Sequence, residues 1–356
     1  MQYEALIQQL NLSYVHRKIA HHANHSGYNC VFEKMRLPIA RSAFMQKLVS
    51  CLPGSLKWRL NRFRPQPVGD EGLIPELLAL PTTRSKKPGI CHFIYGEDTY
   101  FYTPLWQHAK QKIIATYHYP PQRLNERVSR PVLKGLSGVI LMSNSQREWF
   151  EQYLPAEKVF VVNHHVNTAF FHPLQSKPVE GPVRIVSVGG ILRDMDLLLK
   201  VVQLLSERLG ADKIQFDFLI PKQFRQPFES FSNVNFYARI SDEELRSLYQ
   251  NATLGFMPLV DCTANNAILE MMACGKAIAC SNVGGISDYV DDSGALMFAP
   301  NLSAEALVKD LICILERPEQ LANMGEHNRA KALSEFSLER TAEKLFNVYQ
   351  QVAAQN

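Results

Sequence analysis

Residues 257–290 read MPLVDCTANNAILEMMACGKAIACSNVGGISDYV, and their pattern predicts a strand, a polar loop, a helix and a second strand. Pro258 ends the first strand, and the loop DCTANN separates it from a helix over residues 266–274. Gly275 follows the helix and suits the left-handed conformation that commonly ends one. The stretch therefore predicts one strand–helix–strand unit of a parallel α/β sheet.

The start of this helix is a candidate phosphate site. Thr263, Asn265 and Asn266 are all residue types that cap helix N-termini. Unpaired N–H groups and the positive end of the helix dipole attract anions there. Glu270 lies about one turn into the helix, and helical side chains lean towards the N-terminus. Its carboxylate can therefore accept hydrogen bonds from the vicinal hydroxyls of a ribose. Phosphate and ribose together predict a nucleotide diphosphate as the ligand.

Apolar runs alternate with helical patterns on both sides of this stretch. Predicted strands are 90–95, 112–117, 138–142 and 158–162 in a first series, and 183–188, 214–220, 233–238, 253–258 and 277–280 in a second. Capping-box spacings, Ser145 with Glu148 and Ser241 with Glu244, begin two of the helices. The proline-rich stretch 171–183 separates the two series, and the chain after residue 300 reads as helices. Such a pattern predicts two parallel sheets, whose ligands bind at the carboxyl ends of strands.

The composition suits a globular chain with two cores. The 356 residues exceed one ordinary core, and 46% hydrophobic with 20% charged residues excludes a disordered or fibrous chain. A net charge of +4 gives no sign of nucleic-acid binding. Seven cysteines without a CxxC pair indicate neither a disulfide framework nor a thiolate zinc site, and fit a reducing compartment. No signal-peptide pattern and no apolar run of about 18 residues occurs, so a cytoplasmic location is expected.

The stretch 257–290 closely resembles the donor-binding motif of family 4 glycosyltransferases. Glu270 matches the second Glu of that family's E-x7-E pattern, and the resemblance implies that it binds the donor ribose. The first Glu would fall at Cys262, one residue after Asp261. The family's residue there faces the transferred sugar, so Asp261, with Asn265 or the neighbouring asparagine, is expected to cover that role.

A further segment resembles the same family. Residues 183–199 contain the turn Gly189-Gly190 and then Arg193, and the resemblance implies a turn near the diphosphate with an arginine that neutralises it. The family's lysine five residues later is Leu198 here. The segment is not GxGxxG, which disfavours a hydride-transferring dehydrogenase.

The N-terminal half carries the remaining candidates. His118 follows a predicted strand, and the resemblance implies that it contacts the donor sugar. Gly27 matches the glycine of a loop close to phosphate and acceptor. Three histidines of that loop, His21, His22 and His25, could be imagined as zinc ligands. No carboxylate or cysteine is expected in a position that completes a tetrahedral set with them, so no metal is expected. Glu97 and Asp98 follow another strand, and are predicted either to bind acceptor hydroxyls or to cap a helix.

Residues 34–64 form a basic stretch without Asp or Glu, in which eight Lys or Arg residues alternate with apolar and aromatic ones. Such a segment can lie on an anionic membrane, where each basic residue contributes about 1 kcal/mol. A solvated basic face or a subsite for an acidic acceptor is the other interpretation.

The resemblance implies a GT-B fold, two Rossmann-like α/β domains with parallel sheets facing a central cleft. The expected domains are 1–175 on the acceptor side, 176–335 for the nucleotide-sugar, and a helix 336–356 that crosses back. The expected activity is transfer, with retention of configuration, from a UDP- or GDP-sugar to a hydroxyl of a glycan or lipid-linked acceptor, without a further cofactor. Two alternatives stay open at this point: a nucleotide-sugar-binding regulatory protein without catalysis, which Cys262 favours, and a nucleotide-sugar epimerase of the same fold.

Overall fold

The computed structural model describes residues 3–17, 25, 27–66, 69–174 and 181–355. The described residues divide into two compact units. The first unit holds those within 1–22, 27–163 and 341–356, and the second holds those within 23–26 and 164–340. The domain limits expected from the sequence, at 175 and 335, stay predictions.

The first unit is built on a five-stranded parallel sheet. Its strands, in the order β1-β2-β3-β4-β5 across the sheet, are β1 (Leu12–Val15), β2 (Gly89–Phe93), β3 (Gln111–Tyr117), β4 (Gly138–Leu141) and β5 (Val159–Val161). Its helices are α1 (Glu4–Gln9), α2 (Cys30–Lys34), α3 (Ala43–Ser50), α4 (Gly54–Arg62), α5 (Gly69–Leu78), α6 (Leu80–Thr83), α7 (Gly96–Thr99), α8 (Pro121–Arg127), α9 (Arg130–Leu133) and α10 (Arg147–Glu151). The central strands are apolar because helices cover both of their faces, and Ile113, Ala115 and Val139 are fully buried.

The second unit contains a six-stranded sheet in which every pair of strands is parallel. Its strands are β6 (Val183–Val188), β7 (Ile214–Leu219), β8 (Val234–Phe236), β9 (Leu254–Met257), β10 (Ala277–Ser281) and β11 (Ala295–Phe298), in the order β11-β10-β9-β6-β7-β8. Its helices are α11 (Met195–Leu209), α12 (Asp242–Asn251), α13 (Asn266–Ala273), α14 (Ala304–Leu315) and α15 (Pro318–Glu335). The two parallel sheets confirm the predicted α/β fold class.

The last helix, α16 (Leu338–Ala354), belongs to the first unit from Thr341 onward. Tyr349 lies on it and shares a hydrogen bond of 2.8 Å with Nδ1 of the buried His92 on β2. Lys112 donates to the carbonyls of Val352 and Ala353, at the negative end of the helix dipole. These contacts fix the C-terminal helix against the first sheet.

Two local predictions differ from the structure. The capping box expected at Ser145 lies two residues earlier, where Ser143 and Gln146 form it, while the box of Ser241 and Glu244 is present as predicted. Gln146 is the better partner because its amide group also bonds the backbone of Met142, Tyr117 and Tyr119. The short strands β1 and β11 are not among the predicted strands, and each lies at the edge of its sheet.

Candidate functional site

Helix α13 begins as the sequence predicts. Asn265 is its N-cap, with an extended backbone and a side-chain oxygen that accepts a hydrogen bond from the N–H of Ile268 at 3.3 Å. Asn266 is its first residue, and Gly275 follows its end with φ +70°. All residues from Ala267 to Ala273 are buried, so core packing on all sides fixes the position of the helix N-terminus.

Arg193 lies beside this N-terminus. An isolated antiparallel bridge joins it to Leu259, just after β9, and its Nη2 is 3.5 Å from Oδ1 of Asn265. The guanidinium also donates to the carbonyls of Val188 and Ile191, at 2.8 and 3.1 Å. Burial lowers its pKa to about 10, so the group stays a cation at neutral pH. The structure thus places a positive charge at the start of α13.

The turn Gly189-Gly190 leaves no room for side chains. Gly189 has φ +91°, and a Cβ there would come within 3.1 Å of Nη2 of Arg193. A Cβ on Gly190 would come within 2.7 Å of Pro221. The turn therefore packs directly against Arg193 and sets where the guanidinium lies.

Glu270 is held by a residue that the sequence analysis missed. Its Oε2 accepts a hydrogen bond of 2.7 Å from the hydroxyl of Tyr249 on α12, and Glu270 is 4% exposed. Tyr249 is fully buried, and burial raises its pKa well above the usual value, so it acts as a donor. Nothing in the amphipathic pattern of 241–250 distinguishes this tyrosine from an ordinary core residue.

The loop before α13 is shaped by a second glycine turn. Oδ1 of Asp261 accepts from the backbone N–H of Cys262 at 2.7 Å, and the carbonyl of Cys262 accepts from Gly285 at 2.8 Å. Gly284 has φ +54°, and a Cβ there would lie 2.0 Å from the Cys262 carbonyl oxygen. Burial raises the pKa of the Cys262 thiol to about 12, so this side chain is neutral and cannot supply the negative charge of a glutamate.

In the first unit, His118 and Glu97 form a buried pair. They follow the adjacent strands β3 and β2, and His118 Nδ1 lies 2.9 Å from Glu97 Oε1. The two side chains are 8% and 1% exposed. The rings of Tyr28 and Tyr95 lie 4.0 and 4.9 Å from the imidazole, measured between centroids. Neither Glu97 nor Asp98 caps a helix, so that part of the prediction is wrong.

Asp98 lies next to this pair and faces two arginines. Its carboxylate is 3.3 Å from Nη1 of Arg17 and 3.8 Å from Nη1 of Arg127. Burial, and then the charge of Glu97, raise its pKa to about 6 despite these arginines. The carboxyl is therefore ionised at neutral pH only at an energetic cost.

A further buried carboxylate, Glu76 on α5, was also missed. Its Oε1 accepts from the backbone N–H groups of Phe101, Tyr102 and Thr103, at 2.6 to 2.8 Å, and its Oε2 pairs with Arg64. No local sequence pattern indicates the role of Glu76, because its partners lie 12 to 27 residues away in sequence. Glu76 thus orders the segment that follows Glu97.

The remaining candidates are placed as follows. Gly27 is buried, and its carbonyl accepts from the N–H of Cys30 at 3.0 Å. His21 and His22 lie outside the described residues. Among the residues that are described, no three His, Cys, Asp or Glu side chains are grouped so that they could hold a metal ion. The described part of the chain also has no helix of the length and apolarity that a membrane crossing requires.

Comparison with known proteins agrees with this architecture. Residues 225–331 match the family Glycosyl transferases group 1. An alpha-maltose-1-phosphate synthase of Mycolicibacterium smegmatis is 24% identical over 257 residues, which cover 64% of this chain and 66% of that protein. An MMP alpha-(1->4)-mannosyltransferase of Mycolicibacterium hassiacum is 25% identical over 56% of this chain and 49% of its own length. The chain thus spans about half to two thirds of the length of these relatives.

Solved structures extend the likeness to nearly the whole chain. A glycosyltransferase from Rickettsia africae superposes with a TM-score of 0.66 at 14% identity, covering 97% of this chain and 98% of that one. The HepE protein of Anabaena, solved with UDP and glucose, has a TM-score of 0.59 at 13% identity and covers 92% and 89%. The solved structures show that this chain has the GT-B fold, and the match to the family Glycosyl transferases group 1 covers residues 225–331 of it.

Proposed function

We propose that this protein transfers a sugar, with retention of configuration, from a nucleotide-diphosphate donor to a hydroxyl acceptor. The observation that carries the proposal is Arg193 beside Asn265 at the N-terminus of α13, with Glu270 one turn into the same helix. A cation and a helix N-terminus suit a diphosphate, and a buried carboxylate suits the ribose hydroxyls. HepE was solved with UDP, so UDP-sugars come first among the donors to test, followed by GDP-sugars.

Each predicted site residue has one role in this proposal. Glu270 binds the ribose, while Arg193, Asn265, Asn266 and the N–H groups of α13 bind the diphosphate. The glycines at 27, 189 and 190 allow a backbone to approach phosphate closely. Asp261 and His118 are assigned to hydroxyls of the transferred sugar.

The chemistry follows from these roles. The acceptor oxygen bonds to the anomeric carbon on the face from which the diphosphate leaves, and the acceptor proton passes to a diphosphate oxygen. The C–O bond to the diphosphate breaks with both electrons, and Arg193 with the helix N–H groups stabilises the developing charge. This scheme uses electrostatic stabilisation of the leaving group in place of a strong protein base.

The test combines binding and turnover. The protein is incubated with UDP- and GDP-sugars, and thermal stabilisation and release of nucleoside diphosphate are followed for wild type, Glu270→Ala and the control Glu316→Ala at an exposed position. We expect one donor to stabilise wild type and the control but not Glu270→Ala, and to be hydrolysed slowly. Absence of binding by any nucleotide sugar would refute the proposal.

A non-catalytic regulatory protein is the second candidate, because Cys262 is neutral where the family has a glutamate. A regulatory protein of this kind would bind the donor through Glu270. It would not consume the donor, even when glycan or lipid acceptors are added.

We also propose that residues 34–64 contact an anionic membrane and that the acceptor is lipid-linked. Large apolar side chains are exposed on this segment, with Phe44 at 73%, Trp58 at 61% and Phe63 at 74%. Of its eight basic residues, Lys57 pairs with Asp70 and Arg64 is buried against Glu76. The other six are exposed: Lys34, Arg36, Arg41, Lys47, Arg59 and Arg62. Exposed aromatic rings beside positive charge are typical of a surface that enters a lipid headgroup layer.

Sedimentation with vesicles tests this surface. We expect binding to vesicles that contain anionic phosphatidylglycerol, weaker binding to pure phosphatidylcholine, and loss of binding in high salt. Phe44→Ser with Phe63→Ser should weaken vesicle binding, whereas Leu105→Ser, at another exposed apolar residue, should not. Equal binding by both variants would contradict the assignment.

A further inference from the structure

His118 Nδ1 and Glu97 Oε1 share a hydrogen bond of 2.9 Å. The proposed transfer chemistry does not by itself require this bond. Gly96 precedes Glu97, and a Cβ on it would lie 2.9 Å from both the Cβ of Ala115 and the ring of Tyr117. The glycine therefore lets α7 pack directly on β3. Because β2 and β3 are parallel neighbours, this packing brings Glu97 to the residue that follows β3, which is His118.

We propose that Glu97 is a positioning residue for His118. Its Oε1 accepts a hydrogen bond from Nδ1–H, which fixes the tautomer and leaves Nε2 as the ring atom that accepts a hydroxyl proton of the sugar. The proposal rests on the proposed function, in which His118 contacts the donor sugar.

Two polar atoms of the pair are left without a hydrogen bond. Oε2 of Glu97 and Nε2 of His118 are both buried, and neither has a partner in the described part of the chain. A buried, half-satisfied carboxylate is unfavourable for folding, and an apolar residue or a fully bonded glutamine would serve the core better. The arrangement is explained if the carboxylate orients the imidazole and a hydroxyl of the ligand completes the bonding of Nε2.

The surroundings hold both side chains in place. Tyr28 and Tyr95 pack on the imidazole, so the ring plane is fixed as well as its tautomer. On the other side, Arg64 donates to the carbonyl of Asp98 at 2.6 Å, and Thr99 Oγ1 donates to the carbonyl of Tyr95 at 2.7 Å. Arg64 thereby fixes the backbone of α7 at Asp98, and the bond of Thr99 closes the single turn of the helix that carries Glu97.

The first test reads the imidazole directly and needs no substrate. The ring nitrogens of ¹⁵N-histidine-labelled protein are observed by NMR at a pH where the ring is neutral, and His118 is assigned by its loss in His118→Gln. We expect Nδ1 protonated and Nε2 unprotonated in wild type, and a shift towards Nε2–H in Glu97→Ala. An Nε2–H tautomer in wild type, or a spectrum unchanged in Glu97→Ala, would overturn the proposal even if the protein proves to be a transferase.

The second test uses turnover once a donor is known. Glu97→Ala should lower kcat about 10-fold with a smaller change in KM, because the contact through His118 matters most in the transition state. Glu97→Gln keeps an acceptor oxygen, so we expect its kcat to lie between those of Glu97→Ala and wild type. The same variant can be used for the test if Glu97→Ala does not fold. The exposed Glu126→Ala should match wild type.

A double variant separates positioning from an independent role. If Glu97 acts through His118, Glu97→Ala adds little to the loss already seen in His118→Gln. Additive losses would overturn the proposal. Absence of turnover in every variant, including wild type, would instead count against the proposed function, and the NMR spectra would then decide whether Glu97 positions His118.

Discussion

The hydroxyl of Tyr249 donates to Oε2 of Glu270 across 2.7 Å, and both side chains are buried in the second unit. The bond joins α12 to α13, so the carboxylate assigned to the donor ribose is oriented by a residue from a different helix. Removal of the Tyr249 hydroxyl therefore tests how far donor binding depends on the orientation of the Glu270 carboxylate.

Tyr249→Phe tests this dependence. Loss of the tyrosine hydroxyl leaves a buried carboxylate oxygen without this bond, so we expect unfolding free energy to fall by about 1–3 kcal/mol. The donor KM should rise about 3- to 10-fold, because Glu270 is no longer held for the ribose. Thermal melting and donor titration measure the two effects. Tyr153→Phe is the control, and unchanged donor affinity in Tyr249→Phe would show that the bond serves stability alone.

The second prediction concerns pH. The pKa of Asp98 is raised from its ordinary 3.8 to about 6, mainly by burial, so the folded protein keeps a proton there that the unfolded chain has released. Unfolding free energy must therefore decrease as pH rises between about 4 and 6, by up to about 3 kcal/mol for this group. Asp98→Asn should remove this part of the slope.

Urea unfolding of wild type and Asp98→Asn at several pH values measures the difference. Distant titrating groups are common to both proteins, so the difference reports Asp98 together with its charge interaction with Glu97. Parallel pH curves would mean that Arg17 and Arg127, at 3.3 and 3.8 Å, offset the burial completely.

The third prediction concerns the C-terminal helix. Burial lowers the pKa of His92 to about 3, so its ring is neutral and bonds Tyr349 and Thr116 at 2.8 and 2.7 Å. Tyr349→Phe leaves Nδ1 of His92 unpaired in the core, which should cost about 1–3 kcal/mol. Calorimetry should show a lower melting temperature for the unit that contains α16. No change would mean that the lost bond is replaced by water or by a rearranged ring.

The sequence was informative where structure depends on near neighbours. Apolar runs predicted the strands β2 to β10. The end of α13 at Gly275, and a small set of N-cap candidates that includes Asn265, followed from residues within one turn of each other. The same local reasoning placed a capping box at Ser145, two residues late, because Gln146 makes long-range backbone bonds that a spacing rule does not contain.

Long-range partners explain what was missed. Glu76 bonds the backbone at 101–103, and Tyr249 bonds Glu270, 21 residues on. Neither residue belongs to a motif, and an isolated tyrosine or glutamate in a helix has no sequence mark of its partner. The basic stretch 34–64 is a second example of a long-range partner that the sequence does not indicate. Arg64 belongs to this stretch, but in the folded chain it is buried and paired with Glu76. The roles of the site residues themselves stay predictions until donor binding is measured.

The fourth prediction tests the glycine turn beneath the loop before α13. Gly284 has φ +54°, and an added Cβ would lie 2.0 Å from the carbonyl oxygen of Cys262 and 2.6 Å from Oδ1 of Asp261. Backbone atoms cannot give way cheaply, so Gly284→Ala must push the loop DCTANN away from the turn. We expect donor binding to weaken at least about 10-fold while far-ultraviolet circular dichroism stays the same, because the change is confined to two loops. Gly54→Ala is the matched control, since nothing lies within 4 Å of its Cβ position and it should bind donor as wild type does. Normal donor affinity in Gly284→Ala would mean that Asp261 and its loop do not face the ligand, and the assignment of Asp261 to the transferred sugar would then be withdrawn.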